Sequence, residues 1–278
     1  MSVRAGAGDP SNYFSGLIAV VRLSLTQLAR PSLPARRAEA ARQLARDVLL
    51  LMVIGGIAVV ALMYLVDAAE IGLMPPRGTP GLWPVRILTD FGEAALVLWG
   101  LAAMLAAVAL ISPRLRGTSK SQLLGFGVRL QFLFFAVLVP VLAGEVIKWI
   151  VGRGRPFVGG KANAFNFVHF AGTEAYASFP SAHAITAFAL AFAVGAVWPR
   201  ARVAMMTYAV LIAGSRLVLL AHHPSDVVMG ALIGVVGAMG VRYWFAVRRL
   251  GFAIRRDGAI APLALGRLKR VAREASAP

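Results

Sequence analysis

The chain has no cysteine, and only 12 of its 278 residues are acidic. The first absence excludes a disulfide framework and a thiolate metal site, and it fits a reducing or an oxidising compartment equally. Charge of either sign is sparse: 15% of residues are charged and 59% are apolar. That balance excludes an ordinary soluble domain. Apolar runs of nearly bilayer-spanning length then indicate an integral membrane protein. The start lacks the charged, apolar and small-residue succession of a removable signal peptide, so none is expected. There is no convincing internal repeat.

The formal charge of +17 raises the question of nucleic acid. Its distribution answers it. Of the 29 Lys and Arg, 22 fall in four segments: residues 1–47, 113–129, 199–202 and the tail from Arg242. Basic flanks of this kind follow from the positive-inside rule and from anionic headgroups. No basic groove with aromatic residues or reader motif accompanies them, so a nucleic-acid partner is not expected.

The pattern predicts an all-α, polytopic membrane protein with six transmembrane helices in a bundle. Spans are expected near residues 48–66, 94–111, 130–150, 180–198, 203–221 and 225–245. They divide the chain into a basic N-terminal segment (1–47), a membrane domain (48–247) and a basic tail (248–278). Residues 13–28 fit either a helix lying in the cytoplasmic interface or a poorly ordered tail, and 83–91 suggest a short surface helix. Six crossings with both termini in the cytoplasm put every basic segment on that side. The same count places three polar segments together on the other face, the periplasmic face if the membrane is a bacterial inner membrane.

The first polar segment runs from Lys148 to Arg155 and Pro156. The second is Pro180-Ser181-Ala182-His183. The third is Ser215-Arg216, then His222 and Asp226. A charge beside a membrane span is costly without a partner or a function. Lys148 alone would read as a snorkelling lysine, with Glu145 one turn earlier as a partner, and Arg155 alone as a loop cation. Together with Arg216 they form a cationic set suited to phosphate oxygens. Pro180 and Pro224 each fit the first position of a helix. Ser181 and Ala182 would then offer backbone N–H groups at a helix N-terminus, an anion site.

Asp226, in the first turn after Pro224, is placed to accept a hydrogen bond from one ring nitrogen of His222. That would leave the other nitrogen as a nucleophile. The expected chemistry is in-line attack by His222 on phosphorus. Lys148, Arg155, Ser181, Ala182 and Arg216 would bind phosphate, with His183 passing a proton to the leaving alcohol and later taking one from water. No cofactor is expected, and the set lacks a carboxylate cluster for magnesium. His223 competes with His222 for the nucleophile's role. His169 reads as a loop residue, and Arg153 and Lys161 as outer contacts.

These segments closely resemble the signature of the type 2 phosphatidic acid phosphatase superfamily: Lys-x6-Arg-Pro, Pro-Ser-Gly-His and Ser-Arg-x5-His-x3-Asp. The resemblance spans roughly residues 90–245. It implies a six-helix membrane core, metal-independent dephosphorylation and a phosphohistidine intermediate. Ala182 departs from the pattern, which has Gly there. A methyl group at that point is expected to alter rate or selectivity rather than remove activity.

The leading function is therefore hydrolysis of a lipid phosphate: phosphatidate, phosphatidylglycerophosphate, undecaprenyl diphosphate or a phosphate of lipid A. The alternatives are a lipid phosphotransferase, a non-catalytic lipid-phosphate binder or transporter, and a vanadate-dependent haloperoxidase of the same superfamily, which six spans disfavour.

Overall fold

The computed structural model describes residues 10–29, 31, 37–156, 158–160 and 162–263. Its helices are α1 (Pro10–Leu28), α2 (Arg37–Leu65), α3 (Asp67–Leu73), α4 (Trp83–Asp90), α5 (Ala94–Ile111), α6 (Gly117–Val151), α7 (Ala182–Val197), α8 (Arg202–Val218) and α9 (Pro224–Val247). Among the described residues, five helical stretches are long and apolar enough to cross a membrane: Arg37–Leu65, Pro80–Arg114, Gly117–Val151, Pro199–Val218 and Pro224–Val247. They contain five of the six expected spans. The remaining one is α7, whose 16 residues fall short by length.

One addition was not expected in an all-α chain. Strands β1 (Phe252–Ile254) and β2 (Ile260–Pro262) pair antiparallel just after α9. Phe252 is buried against Phe132 of α6, their ring centroids 4.7 Å apart. Apolar contact thus ties the start of the basic tail to the bundle core; residues 264–278 lie outside the described residues. Of the two readings open for residues 13–28, the structure has the helix, α1. It docks through Tyr13, whose hydroxyl donates to the Leu110 carbonyl and whose ring carries the Arg114 guanidinium at 4.6 Å.

The core lies between α6, α7 and α9. Helix α7 turns a row of alanines inward, with Ala184, Ala187, Ala189 and Ala193 fully buried. Gly230 and Gly234 of α9 face them. A methyl at Gly230 would lie 2.6 Å from the Ser181 carbonyl oxygen, and one at Gly234 2.5 Å from that of Ile185. Small residues four apart let the two backbones touch, as in close-packed membrane helices. The closeness matters for function because it brings the N-termini of α7 and α9 side by side. The Ser181 N–H donates to the Asp226 carbonyl oxygen at 3.0 Å.

Candidate active site

The three polar segments meet at one end of the bundle, where α6 and α8 finish and α7 and α9 begin. Each local fold has a physical cause. Gly152 ends α6 in the left-handed conformation (φ 57°). Its own Cβ would lie 1.8 Å from the Val168 carbonyl oxygen, so both conformation and space demand glycine here. The loop then folds back on itself: Gly154 N–H donates to Asn166, Arg155 N–H to Ala175 and Ser178 N–H to Arg153. These bonds hold Arg153 and Arg155 in place without regular structure.

Helix α8 ends with two backbone bonds, Leu220 N–H to Leu217 and Ala221 N–H to Arg216. This is a Schellman turn. Its left-handed position holds Leu220 (φ 49°) where glycine is usual, a strain of about 1 kcal/mol. The turn places Arg216 and His222 at the same end of the bundle.

The expected cations are all present, each already engaged. Lys148 pairs with Glu145, as its position one turn away suggested. Arg155 bonds Glu174 at 3.1 Å, and Arg216 donates to Thr89 Oγ1 at 2.9 Å. The Nε atoms of Arg155 and Arg216 are buried without a hydrogen-bond partner among the described residues. His183, in the first turn of α7, lies within electrostatic reach of Arg216, Lys148 and Arg155. Its ring sits beside Gly92 of the α4–α5 turn. Burial is the main cause that lowers Arg155 below the usual arginine range, opposed by Glu174 and reinforced by Arg77.

Two expectations need correction. Pro180 is not the first residue of α7, because Ser181 is the N-cap and its hydroxyl accepts from Ala184 N–H at 3.5 Å. The Ser181 N–H is consumed by Asp226, so only the first-turn amides of Ala182 and His183 are left without helical acceptors. Ala182 itself is helical, a conformation open to alanine.

The second correction concerns Asp226. His222 Nδ1 bonds the Ser178 carbonyl at 2.7 Å, whereas the nearest Asp226 oxygen is 3.9 Å away. A carbonyl can only accept, so Nδ1 carries the hydrogen and Nε2 keeps its lone pair. Asp226 acts one step removed. Its Oδ2 accepts from Ser178 Oγ at 2.6 Å and from His223 N–H at 2.8 Å, holding the residue that orients His222. Burial, then Arg216 and Arg155, push His222 well below the usual histidine range. The shift favours the neutral imidazole.

The adjacent imidazoles face different surroundings. His222 is coupled to Arg216, Arg155 and His183, and His223 to Asp226, Arg153 and Asp67. His223 is fully buried, and burial lowers it too. His169 is a loop residue bonded to the Ile150 carbonyl. Lys161 lies outside the described residues.

Arg153 has a larger part than its sequence position suggested. It is fully buried, and all five guanidinium N–H groups have acceptors: the Ala164 carbonyl twice, Ser225 Oγ, Asp226 Oδ1 and Asp67 Oδ2. Asp67, at the start of α3, also accepts from Ser225 N–H at 3.1 Å. Ser178 and Asp67 lie outside the three motifs, and Ser225 fills one of the unspecified positions between His222 and Asp226; the one sequence hint was an acid directly after an apolar span.

Glu70, one turn along α3, is 4% exposed, and neither carboxylate oxygen has a hydrogen-bond partner among the described residues. Burial, then Asp67 and Asp226, raise it from 4.5 to about 7. A raised acid favours the fold while it holds its proton, a contribution present below pH 4.5 and lost as pH rises through about 7. Glu70→Gln should therefore raise the free energy of unfolding in detergent at pH 8 by an amount on the order of 2 kcal/mol. The gap should close by pH 5. An equal gain at both pH values would show that ionisation is not the cause.

The PAP2 superfamily profile matches residues 129–250. A lipid A 1-phosphatase of Rhizobium johnstonii is 32% identical over 175 residues, 62% of this chain and 71% of that protein. One from Rhizobium etli is 32% identical over 174 residues, 62% and 75% of the two chains. An Escherichia coli protein, provisionally named undecaprenyl-diphosphatase YbjG, is 33% identical over 118 residues, 40% of this chain and 56% of that one. No solved structure matches the chain significantly. With the motif segments gathered at one end of an apolar helix bundle, these matches identify the chain as a member of the PAP2 superfamily, an integral membrane protein and a phosphatase.

Proposed function

We propose that this protein hydrolyses a lipid phosphate, a phosphomonoester or a diphosphate, through a phosphohistidine on His222. The observation that carries the reading is the His222–Ser178 bond, which leaves Nε2 unprotonated at the end of the bundle where Lys148, Arg155 and Arg216 collect. Nε2 attacks the terminal phosphorus, and its bond to the leaving oxygen breaks, the ester oxygen of a monoester or the bridging oxygen of a diphosphate. His183 gives that oxygen a proton. Water then attacks phosphorus, His183 takes a proton back, the P–N bond breaks, and inorganic phosphate leaves with His222 neutral again. Charge on the phosphoryl oxygens is met by Lys148, Arg155 and Arg216, with Ser181 and the Ala182 amide beside them.

In this reading α7 is the sixth crossing, both termini are cytoplasmic and the site faces the periplasm of a bacterial inner membrane. Residues 48–247 form the membrane domain between a basic N-terminal segment and a basic tail. The alternation of basic segments with the polar end of the bundle supports this orientation. Among substrates, the names of the rhizobial relatives favour a glycosyl phosphate of the lipid A type.

The test is phosphate release by detergent-purified protein from phosphatidate, phosphatidylglycerophosphate, undecaprenyl diphosphate and a lipid A 1-phosphate, all in excess chelator. Release from at least one, undiminished by chelator, is expected. Silence on all four from folded protein would overturn the phosphatase reading, and loss with chelator would overturn the metal-free mechanism.

A further inference from the structure

The active-site arginines share a cavity with two that the motifs do not include. Arg155 and Arg216 line a space of about 430 Å³ together with Arg77, Arg86, Thr89 and Asp90. Arg77 sits in the turn after α3, where Thr79 N–H and Thr79 Oγ1 both bond the Pro76 carbonyl and Gly78 takes φ 92°. Arg86 projects from α4, the helix whose Thr89 holds Arg216. Both side chains belong to exposed residues, and Arg77 lies within electrostatic reach of Arg155 and of Arg216.

A single phosphoryl group is already opposed by Lys148, Arg155 and Arg216. Four guanidinium groups thus face this one space, and Asp90, also within reach of Arg216, is the one carboxylate among its described lining residues. Like charges around one space repel one another, and a second anionic group beside the transferring phosphoryl relieves that repulsion. Arginine is also the cation best shaped to hold phosphate oxygens in pairs.

We infer that Arg77 and Arg86 form a second anion subsite for another phosphate on the same lipid headgroup. The inference rests on the phosphatase reading for its substrate class: lipids with two phosphates over lipids with one. The second phosphate is either bonded directly to the first, as in a lipid diphosphate, or carried elsewhere on a sugar headgroup.

Purified wild type and the Arg77→Ala/Arg86→Ala double variant would be compared on phosphatidate, undecaprenyl diphosphate and a bisphosphorylated disaccharide lipid. Binding of inorganic phosphate and of pyrophosphate would be measured by calorimetry alongside. In the variant, the preference in kcat/KM for a two-phosphate lipid over phosphatidate should fall about tenfold or more, mainly through KM. That is the scale of losing a hydrogen bond to a charged group. Loss confined to the diphosphate assigns the adjacent phosphate, and loss confined to the disaccharide lipid the distant one. An unchanged preference on both would overturn the subsite, whether or not overall rates fall. If the wild type releases no phosphate from any lipid, binding decides. Tighter binding of pyrophosphate than phosphate, lost in the variant, keeps the subsite while the phosphatase reading falls. Equal binding of the two anions by the wild type then overturns both.

Discussion

His222→Ala is expected to lower phosphate release by about 10⁴-fold or more, the scale on which removing a covalent nucleophile acts. The side chain is nearly enclosed, and its ring is held by one bond to a carbonyl. Alanine therefore removes the attacking lone pair while leaving the Asp226, Ser178 and Arg153 network its internal bonds. Rapid acid quenching would check the chemistry. Wild type given a lipid with labelled phosphate should carry acid-labile label on the protein, and the variant none. His183→Ala should hold the label longer, because the water that resolves the intermediate loses its base. Label on the His222→Ala protein, or activity within tenfold of wild type, would move the nucleophile elsewhere.

The second large effect is structural. Arg153→Leu should destabilise the fold by about 3–5 kcal/mol, the usual consequence of removing one partner from a buried ionic network. Asp67 and Asp226 would lose their shared cation, and the Ala164 carbonyl would lose both of its donors. Because such a variant risks not folding, Arg153→Lys is the sharper measurement. An ammonium keeps the charge but offers three donors rather than five and no planar fork. The expected result is a lower unfolding midpoint and a reduced kcat with little change in KM, since Arg153 contacts Ser225, Asp226 and Asp67 and no group assigned to phosphate. A rise in KM at constant kcat would mean that Arg153 meets substrate directly.

Much of the site was legible because its chemistry is written in local spacing. Lys148 and Arg155, Ser181 and His183, and Arg216 and His222 all lie within nine residues of one another in their own segments, and apolar runs fixed which end of the bundle they share. What was not legible depends on pairings between distant segments. The spacing of His222 and Asp226 suggested a direct bond. In the structure the carboxylate is drawn to His223 N–H, Ser178 and Arg153 instead, leaving Ser178, 44 positions before His222, to orient the ring. Asp67 meets Arg153 across 86 positions, and no periodicity marks that contact. Leu220 hid the end of α8, since a leucine carries no sign of a left-handed turn. The β1–β2 hairpin was hidden by the basic residues Arg255 and Arg256 within it.

The brevity of α7 has a consequence for where catalysis happens along the membrane normal. Sixteen helical residues rise about 24 Å, against a hydrocarbon layer of about 30 Å. On the proposed six-crossing topology, a helix of that length leaves Ser181 and His183 several ångströms beneath the headgroup plane. A lipid then reaches the nucleophile by letting its headgroup sink, with its chains still in the bilayer, rather than by being lifted out. Catalysis of that geometry is tuned by bilayer thickness: thin membranes bring the phosphate and His222 to the same level, and thick ones separate them.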